Sequence, residues 1–587
     1  MSAPRWDLEP LFSGGADGSA YLDAVSETEA KVEDLLSRAD ALPALPAQIA
    51  DWTAWLVDAE LLSAKAHQIS TFAHCCFCED VKNKAGERAA ARSGALWNRF
   101  SRAWVPVQDA IARGSQEGFD ALIARPEIAE QLPKLRRMRD QGHLLLPLGE
   151  QALATELSRD GIGAWSRMYD SISGRLTVTL GEESLSAGQA QNRLGSQDAT
   201  VRDQAYEGLQ EAWTSAEDDC ARALTHIVGA RQTINDRRGL DELADTLAAN
   251  RLERASLDAM LEASRRAQPI LLRYLKLKAK LLGLEQMSWE DLAAPLPSTA
   301  AKQDWPQAES FVMTHFGAYH PDLQAFAGRA FGENWIEAED RGGKRPGGWC
   351  AFAPGIAQSR IFMTHGGTFR STVTLAHELG HAYHNHVTAD LPPSQRAIPS
   401  TLAETASIFA ESLVRDAALR AAKDDESKRS MLDARLMAGV SFLMNIPMRY
   451  DFERALYRMR REGPLDPAAL REEIVGIQKR WYGEALERYD PSFWCAKLHF
   501  YIGGRSFYNY PYTYGYLFAQ LVYRQVMERG PEAHQDYIEL LRRTGWQGGE
   551  DLAMETLGLD LRDPETWWQA IAPLEDDLKA LEALVAG

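Results

Sequence analysis

The sequence predicts a mainly α protein with a small β-sheet next to one histidine-bearing helix. Three observations carry that prediction. Apolar residues recur at helical spacing from about residue 20 to 160, as in "YLDAVSETEAKVEDLLSRADAL", and again beyond residue 200, as in "SLDAMLEASRRAQPILLRYLKLKAKLLG". The run "SGRLTVTLGEE", from Ser173 to Glu183, alternates and suits a short strand or hairpin. Residues 340–370 differ from both: glycines and prolines surround the short runs "WCAFA" and "RIFMT", the pattern of two or three strands joined by turns.

In chain order, the opening "MSAPRWDLEPLFSGGADG" has no basic segment followed by an apolar one, so no secretory leader is expected and the cytoplasm is the expected compartment. "HCCFC", from His74 to Cys78, lies in an apolar, helix-like region. Its crowded spacing does not match the paired cysteines of a structural zinc site, so these thiols are expected to pack as small hydrophobes. A boundary is expected near residue 190, between an N-terminal helical domain (1–190) and a second domain (191–587). After the histidine stretch, helices dominate to the end.

The bulk composition mainly excludes. A formal charge of −19 argues against partners that are nucleic acid or anionic membrane surface. No apolar run reaches the ~18–20 residues that a spanning helix needs. Six cysteines in 587 residues do not make a disulfide framework.

The chemistry concentrates in "TLAHELGHAYHNH", from Thr374 to His386, which holds four of the 13 histidines. His377-Glu378-Leu379-Gly380-His381 is an H-E-x-x-H motif. On a helix, residues four apart lie one above the other, so two imidazoles there can reach one Zn²⁺. Glu378 is set beside the remaining coordination position, where it can take a proton from metal-bound water. The helix is expected to start near Ser371 or Thr372.

A catalytic zinc wants three protein ligands and an open position. A third histidine six residues after His381 is absent, since Val387 stands there. The other source is a glutamate on a following helix. Pro392, Pro393 and Pro399 end the first helix, Ser400 or Thr401 can cap the second, and Glu404 is expected in its first turn. Glu404 is therefore a candidate ligand, with a capping-box partner of Thr401 as its alternative. Glu411 is a candidate acceptor for a ligand histidine's N–H. His384 and His386 are not expected to bind the metal.

"LHFYIGGRSFYNYPYTYGYLFAQ", from Leu498 to Gln520, carries six tyrosines, a histidine and three glycines. Attack on an amide puts negative charge on the carbonyl oxygen, and tyrosine O–H and histidine N–H are suitable neutral donors to it. The glycines could let this loop close over a substrate. Most of the rings are expected to pack, with two or three facing the metal.

Together these segments resemble the thimet-oligopeptidase-like zinc metallopeptidases, specifically the oligoendopeptidase F branch. "HELGHAYH" from His377, "AETASIFAE" around Glu404 and "HFYIGGRSFYNYPYTYGY" from His499 carry the likeness, with "PGGWCAF" and the opening "WDLEPLF" beside them. The resemblance implies a two-lobed helical shell around a deep substrate channel. It implies one zinc ion per chain and cleavage of internal bonds in short unstructured peptides by glutamate-assisted attack of zinc-bound water. By motif match, His377, His381 and Glu404 become zinc ligands and Glu378 the general base. His499, Tyr508, Tyr510 and Tyr516 become candidate oxyanion or substrate contacts. The N-terminal domain and the catalytic domain would divide at the boundary given above, and monomer and homodimer both remain open. A zinc exopeptidase is the nearer rival, with Arg505 as a possible holder of a terminal carboxylate.

Overall fold

The computed structural model describes residues 3–296 and 302–586. It is mostly helical, with one three-stranded sheet and one two-stranded hairpin among the described residues. The chain folds into two compact units. The first comprises Met1–Leu145, Ala301–Ala418 and Phe518–Leu559; the second comprises Leu146–Ala300, Leu419–Leu517 and Asp560–Gly587. Because the units interleave along the chain, the boundary expected near residue 190 lies inside the second of them.

In the first unit, the helices Ser19–Ala41, Ile49–Glu79 and Lys84–Arg113 pack on one another. Trp52, Trp55, Phe72, Leu96 and Val107 are fully buried between them. Cys75, Cys76 and Cys78 are buried free thiols on the second of these helices. In the sheet, Gln358–Phe362 is central, antiparallel to Trp349–Ala353 and parallel to Ile336–Glu337. The expected runs form the first two strands. The third is only two residues long, too short to show an alternation.

The helix Phe369–Val387 packs on this sheet. It starts earlier than expected because the Thr368 side chain caps it, accepting the Ser371 N–H. The next long helix is Thr405–Ala421. It starts later than expected: residues 401–404 form turns, so Glu404 precedes the helix instead of lying in its first turn. The two helices touch at Gly380. A Cβ there would stand 2.5 Å from the Ala406 carbonyl oxygen and 2.6 Å from the Ser407 Cα. Only glycine between the two histidines lets the second helix pass this close, and that approach is what delivers Glu404.

In the second unit, Thr177–Leu180 and Glu183–Ser186 form the expected hairpin. Long helices follow, including Glu217–Arg238, Arg254–Leu281, Ile446–Glu462 and Pro467–Tyr482. A π-helical turn, Ser441–Asn445, leads into Ile446–Glu462. Among the described residues no helix is long and apolar enough to cross a membrane.

Candidate active site

The first unit brings His377, His381 and Glu404 together. His377 Nε2 and His381 Nε2 each stand 3.4 Å from Glu404 Oε2. Two donors on one tetrahedral ion at about 2.0–2.1 Å are separated by about 3.3–3.4 Å, so the spacing is that of ligands sharing a zinc-sized ion. Two imidazole nitrogens and one carboxylate oxygen are also the donor set that leaves a coordination position open. The residues present therefore fit zinc.

A supporting layer orients these donors. His377 Nδ1–H donates to Glu411 Oε1 at 2.8 Å, which turns Nε2 towards Glu404. Arg415 Nε donates to Glu411 Oε2 at 3.1 Å, and Ser407 Oγ to Glu404 Oε2 at 2.7 Å. Burial works against the charges of His377, Glu404 and Glu411, yet their partners win. The His377 pKa stands at about 9, held up by Glu411, Glu404 and Glu378. Glu404 is held down at about 2 by His381, His377 and Ser407, and Glu411 is held low by His377 and Arg415. Glu378 is the exception. Burial pushes its carboxyl up, and the two histidines offset this only in part. It is buried, and its Oε2 has no hydrogen-bond partner. Its Oε1 is 3.0 Å from where a Cβ on Gly348 would stand, so the glycine leaves room for it.

A second group in the same unit, His320, Asp322 and His534, also offers two histidines and a carboxylate. Three of its four imidazole nitrogens are engaged. His534 Nδ1 and Nε2 bond the hydroxyls of Tyr319 and Tyr383 at 3.1 and 3.0 Å, and His320 Nδ1 accepts the Asp322 N–H. The two imidazoles stack at 3.6 Å, so their in-plane lone pairs do not converge on one point.

The second unit holds the histidine and tyrosines of the C-terminal segment. His499 stacks on Tyr508, with ring centres 5.2 Å apart, and Tyr512 lies against both. Arg449 Nη1 faces His499 Nδ1 at 3.4 Å. A guanidinium only donates, so Nδ1 accepts and the neutral ring carries its proton on Nε2. Burial, then the Arg449 and Lys497 charges, hold the His499 pKa down at about 4, so the ring is neutral at pH 7. Tyr508, Tyr512 and Tyr516 are half-buried, and Tyr516 stacks on Phe442. Tyr510 is 1% exposed; its hydroxyl donates to the Thr246 carbonyl and accepts from Asn250 Nδ2, both at 3.1 Å. Phe507 has φ +50°, in the left-handed region that a bulky residue avoids. Its N–H donates to Glu453 Oε1 at 2.6 Å, which pins the turn that aims Tyr508. Burial raises the Glu453 carboxyl to about 7. The glycine loop is anchored: Gly503 N–H donates to Ser166 Oγ, and Arg231 holds the carbonyls of Ile502 and Arg505.

The model of peptidase family M3 matches residues 194–572. The chain belongs to peptidase family M3. Within this family it falls in the oligoendopeptidase F branch. It is 23% identical to the group B oligopeptidase PepB of Streptococcus agalactiae, over 99% of this chain and 97% of that protein. It is 23% identical to the oligopeptidase PepF of Bacillus subtilis, over 88% and 78%. Its fold is that of the oligoendopeptidase-F structure from Enterococcus faecium, with a TM-score of 0.72 at 19% identity, covering 96% of this chain and 98% of that one.

As an M3 peptidase the chain is a peptide hydrolase. Several residues around its candidate site carried no signal of their own in the sequence. Arg415 was legible only as i+4 from Glu411. Arg449 and Glu453 sit in ordinary helical sequence, and only the fold brings them to His499 and Tyr508; Lys497 is two residues before His499 in the chain. His384 bonds Thr544 Oγ1 at 2.8 Å and the Leu541 carbonyl at 3.1 Å, away from the triad. His386 packs on Phe326. Arg505 is exposed.

Proposed function

We propose that this M3 peptidase is a zinc-dependent oligoendopeptidase that hydrolyses internal bonds of short, unstructured peptides. The reading is carried by three donors at zinc-ligand spacing beside Glu378, a buried carboxylate whose Oε2 has no partner. The names of the similar oligopeptidases from S. agalactiae and B. subtilis support peptides as the substrate class. His377 Nε2, His381 Nε2 and Glu404 Oε2 would hold one ion per chain. Bound zinc supplies a Lewis acid that polarises a carbonyl and lowers the pKa of a water molecule.

Glu378 accepts a proton from the attacking water and passes it to the leaving amine. Burial, which raises its pKa, favours the protonated form that it must hold before the proton is passed on. Glu411 fixes the ring of His377, and Arg415 fixes Glu411. The neutral His499, donating from Nε2, and the half-buried Tyr508 and Tyr516 serve as donors to the carbonyl oxygen as charge develops on it. Tyr510, with its hydroxyl engaged by Thr246 and Asn250, is a positioning residue.

The test is to incubate the wild type and Glu378→Gln with a quenched peptide of about ten residues, identify products by mass and assay bound metal. Internal cleavage by the wild type, none by the variant, and one zinc in each is the expected result. Zinc without cleavage of any peptide in a mixed pool would overturn the reading. Release of only one or two terminal residues would assign an exopeptidase instead.

A further inference from the structure

Several buried or half-buried cations in this protein face a carboxylate. Lys278 stands 3.4 Å from Asp433, Arg202 2.7 Å from Asp291 and Lys344 3.1 Å from Glu337. Arg449 and Lys497, both half-buried in the second unit, do not. Among the described residues, no carboxylate oxygen lies within 4 Å of either. Arg449 Nε donates to Asn445 Oδ1 at 2.9 Å, and Nη1 is shared between Asn509 Oδ1 and His499 Nδ1. These partners are all neutral. Nη2 and the Lys497 Nζ make no hydrogen bond to the protein among the described residues. The acid nearest in effect to Lys497 is Asp490. Its Oδ1 accepts from Gln210 Nε2 at 2.8 Å and the Ser492 N–H at 3.1 Å.

The two cations also share a neighbour. The Arg449 guanidinium stands 5.5 Å and the Lys497 ammonium 4.9 Å from the centre of the same ring, Phe493. Burial depresses both pKa values, Arg449 to about 10 and Lys497 to about 8, and the Arg449 charge adds to the lowering of Lys497. Both remain cations at pH 7. Neither is sealed in, since both keep accessible surface. Five N–H donors, two on Nη2 and three on Nζ, are therefore presented by two like charges with no carboxylate within 4 Å among the described residues. A carboxylate supplies one negative charge and about four acceptor positions, which matches this deficit. The half-buried rings of Tyr508 and Tyr512 stand against His499 at the same place.

We propose that Arg449 and Lys497 form a carboxylate-binding subsite that selects anionic peptide substrates. The anion is either the peptide's C-terminal carboxylate or an acidic side chain. The inference rests on the oligopeptidase reading above and narrows its substrate class. Arg449 and Lys497 are substrate-binding residues in this reading, and Asn445 and Asn509 are positioning residues that aim the guanidinium.

The experiment measures peptide binding without turnover, by fluorescence anisotropy on the Glu378→Gln protein. Three labelled ten-residue peptides are compared: a neutral sequence with a free C-terminus, the same sequence amidated, and the amidated sequence with one internal glutamate. The free acid is expected to bind about tenfold or more tightly than the neutral amide, the size of effect a charge-assisted hydrogen bond gives. Tighter binding of the glutamate peptide, and not of the free acid, would support the subsite and assign its ligand to a side chain. Adding Lys497→Met should bring the anionic-to-neutral ratio close to one, and Lys497→Arg, which keeps the charge, should preserve the ratio. Equal affinity for all three peptides would overturn the subsite, as would Lys497→Met and Arg449→Lys weakening all three by the same factor. If no peptide binds and the wild type cleaves none, the oligopeptidase reading falls and takes the subsite with it. Uniform binding sinks the subsite alone.

Discussion

Two groups in the first unit contain the same ligand types, two histidines and a carboxylate, and differ in what their nitrogens are doing. In His377, His381 and Glu404, the outer nitrogen of His377 is tied to Glu411, which frees the inner one, and both Nε2 atoms point at one carboxylate oxygen. In His320, Asp322 and His534, both nitrogens of His534 are consumed by tyrosine hydroxyls and the rings lie face to face. Composition and proximity do not make a metal site. Converging, uncommitted lone pairs do, and the residues that commit the other nitrogen decide which kind of cluster forms.

The largest expected effect separates the two groups outright. Glu404→Gln or His381→Ala should lose bound zinc and cut peptidase activity by about 10³-fold or more, the scale of several kcal/mol of lost charge stabilisation. His320→Ala should keep one zinc per chain by metal analysis; loss of zinc there would erase the distinction. Next is Glu378→Gln, expected to retain zinc and lose about 10²–10⁴-fold in kcat, the range for a general base. A variant that lost zinc and activity together would make Glu378 a ligand and not a base. Glu411→Gln sharpens the role of the committed nitrogen. Zinc affinity should fall about 10–100-fold in chelator competition, the usual effect of removing such a partner.

The smallest effect lies on the other cluster. Burial, and then the His320 charge, hold the His534 pKa at about 4, against about 6.5 unfolded. The proton therefore binds the unfolded chain better. The stability from neutral His534 is complete above about pH 6.5 and is lost as pH falls towards 4, by about 2 kcal/mol at pH 5. Denaturant unfolding at pH 7 and pH 5 should show His534→Gln less sensitive to this interval than the wild type. Equal sensitivity would mean that His534 titrates normally in the folded protein.

Much of the fold and part of the site were legible because they are local. Helical periodicity, the hairpin at residues 177–186 and the two longer strands each depend on a few neighbouring residues. H-E-x-x-H is local too: residues four apart share a helix face whatever surrounds the helix. The start of the Thr405–Ala421 helix was misplaced because Ser400, Thr401 and Glu404 read as cap and first turn, whereas the chain turns there and gives Glu404 to the histidines. The capping-box reading of Glu404 and its ligand reading use the same residues, so spacing alone could not separate them.

The sequence by itself determined that this is a mainly α chain with a two-histidine helix, an adjacent general-base candidate and a tyrosine-rich loop. The tertiary structure decided which side chains are committed elsewhere. It brought Glu404 to the histidines through the contact at Gly380, drew His384 away to Thr544, and buried Tyr510 while leaving Tyr508 and Tyr516 half-buried. It also placed Arg449 and Lys497 at Phe493, with no carboxylate among the described residues within 4 Å of either. The reason is physical. A residue's backbone preference is set by its neighbours in sequence, but its lone pairs and charge are set by groups that arrive from tens to hundreds of residues away.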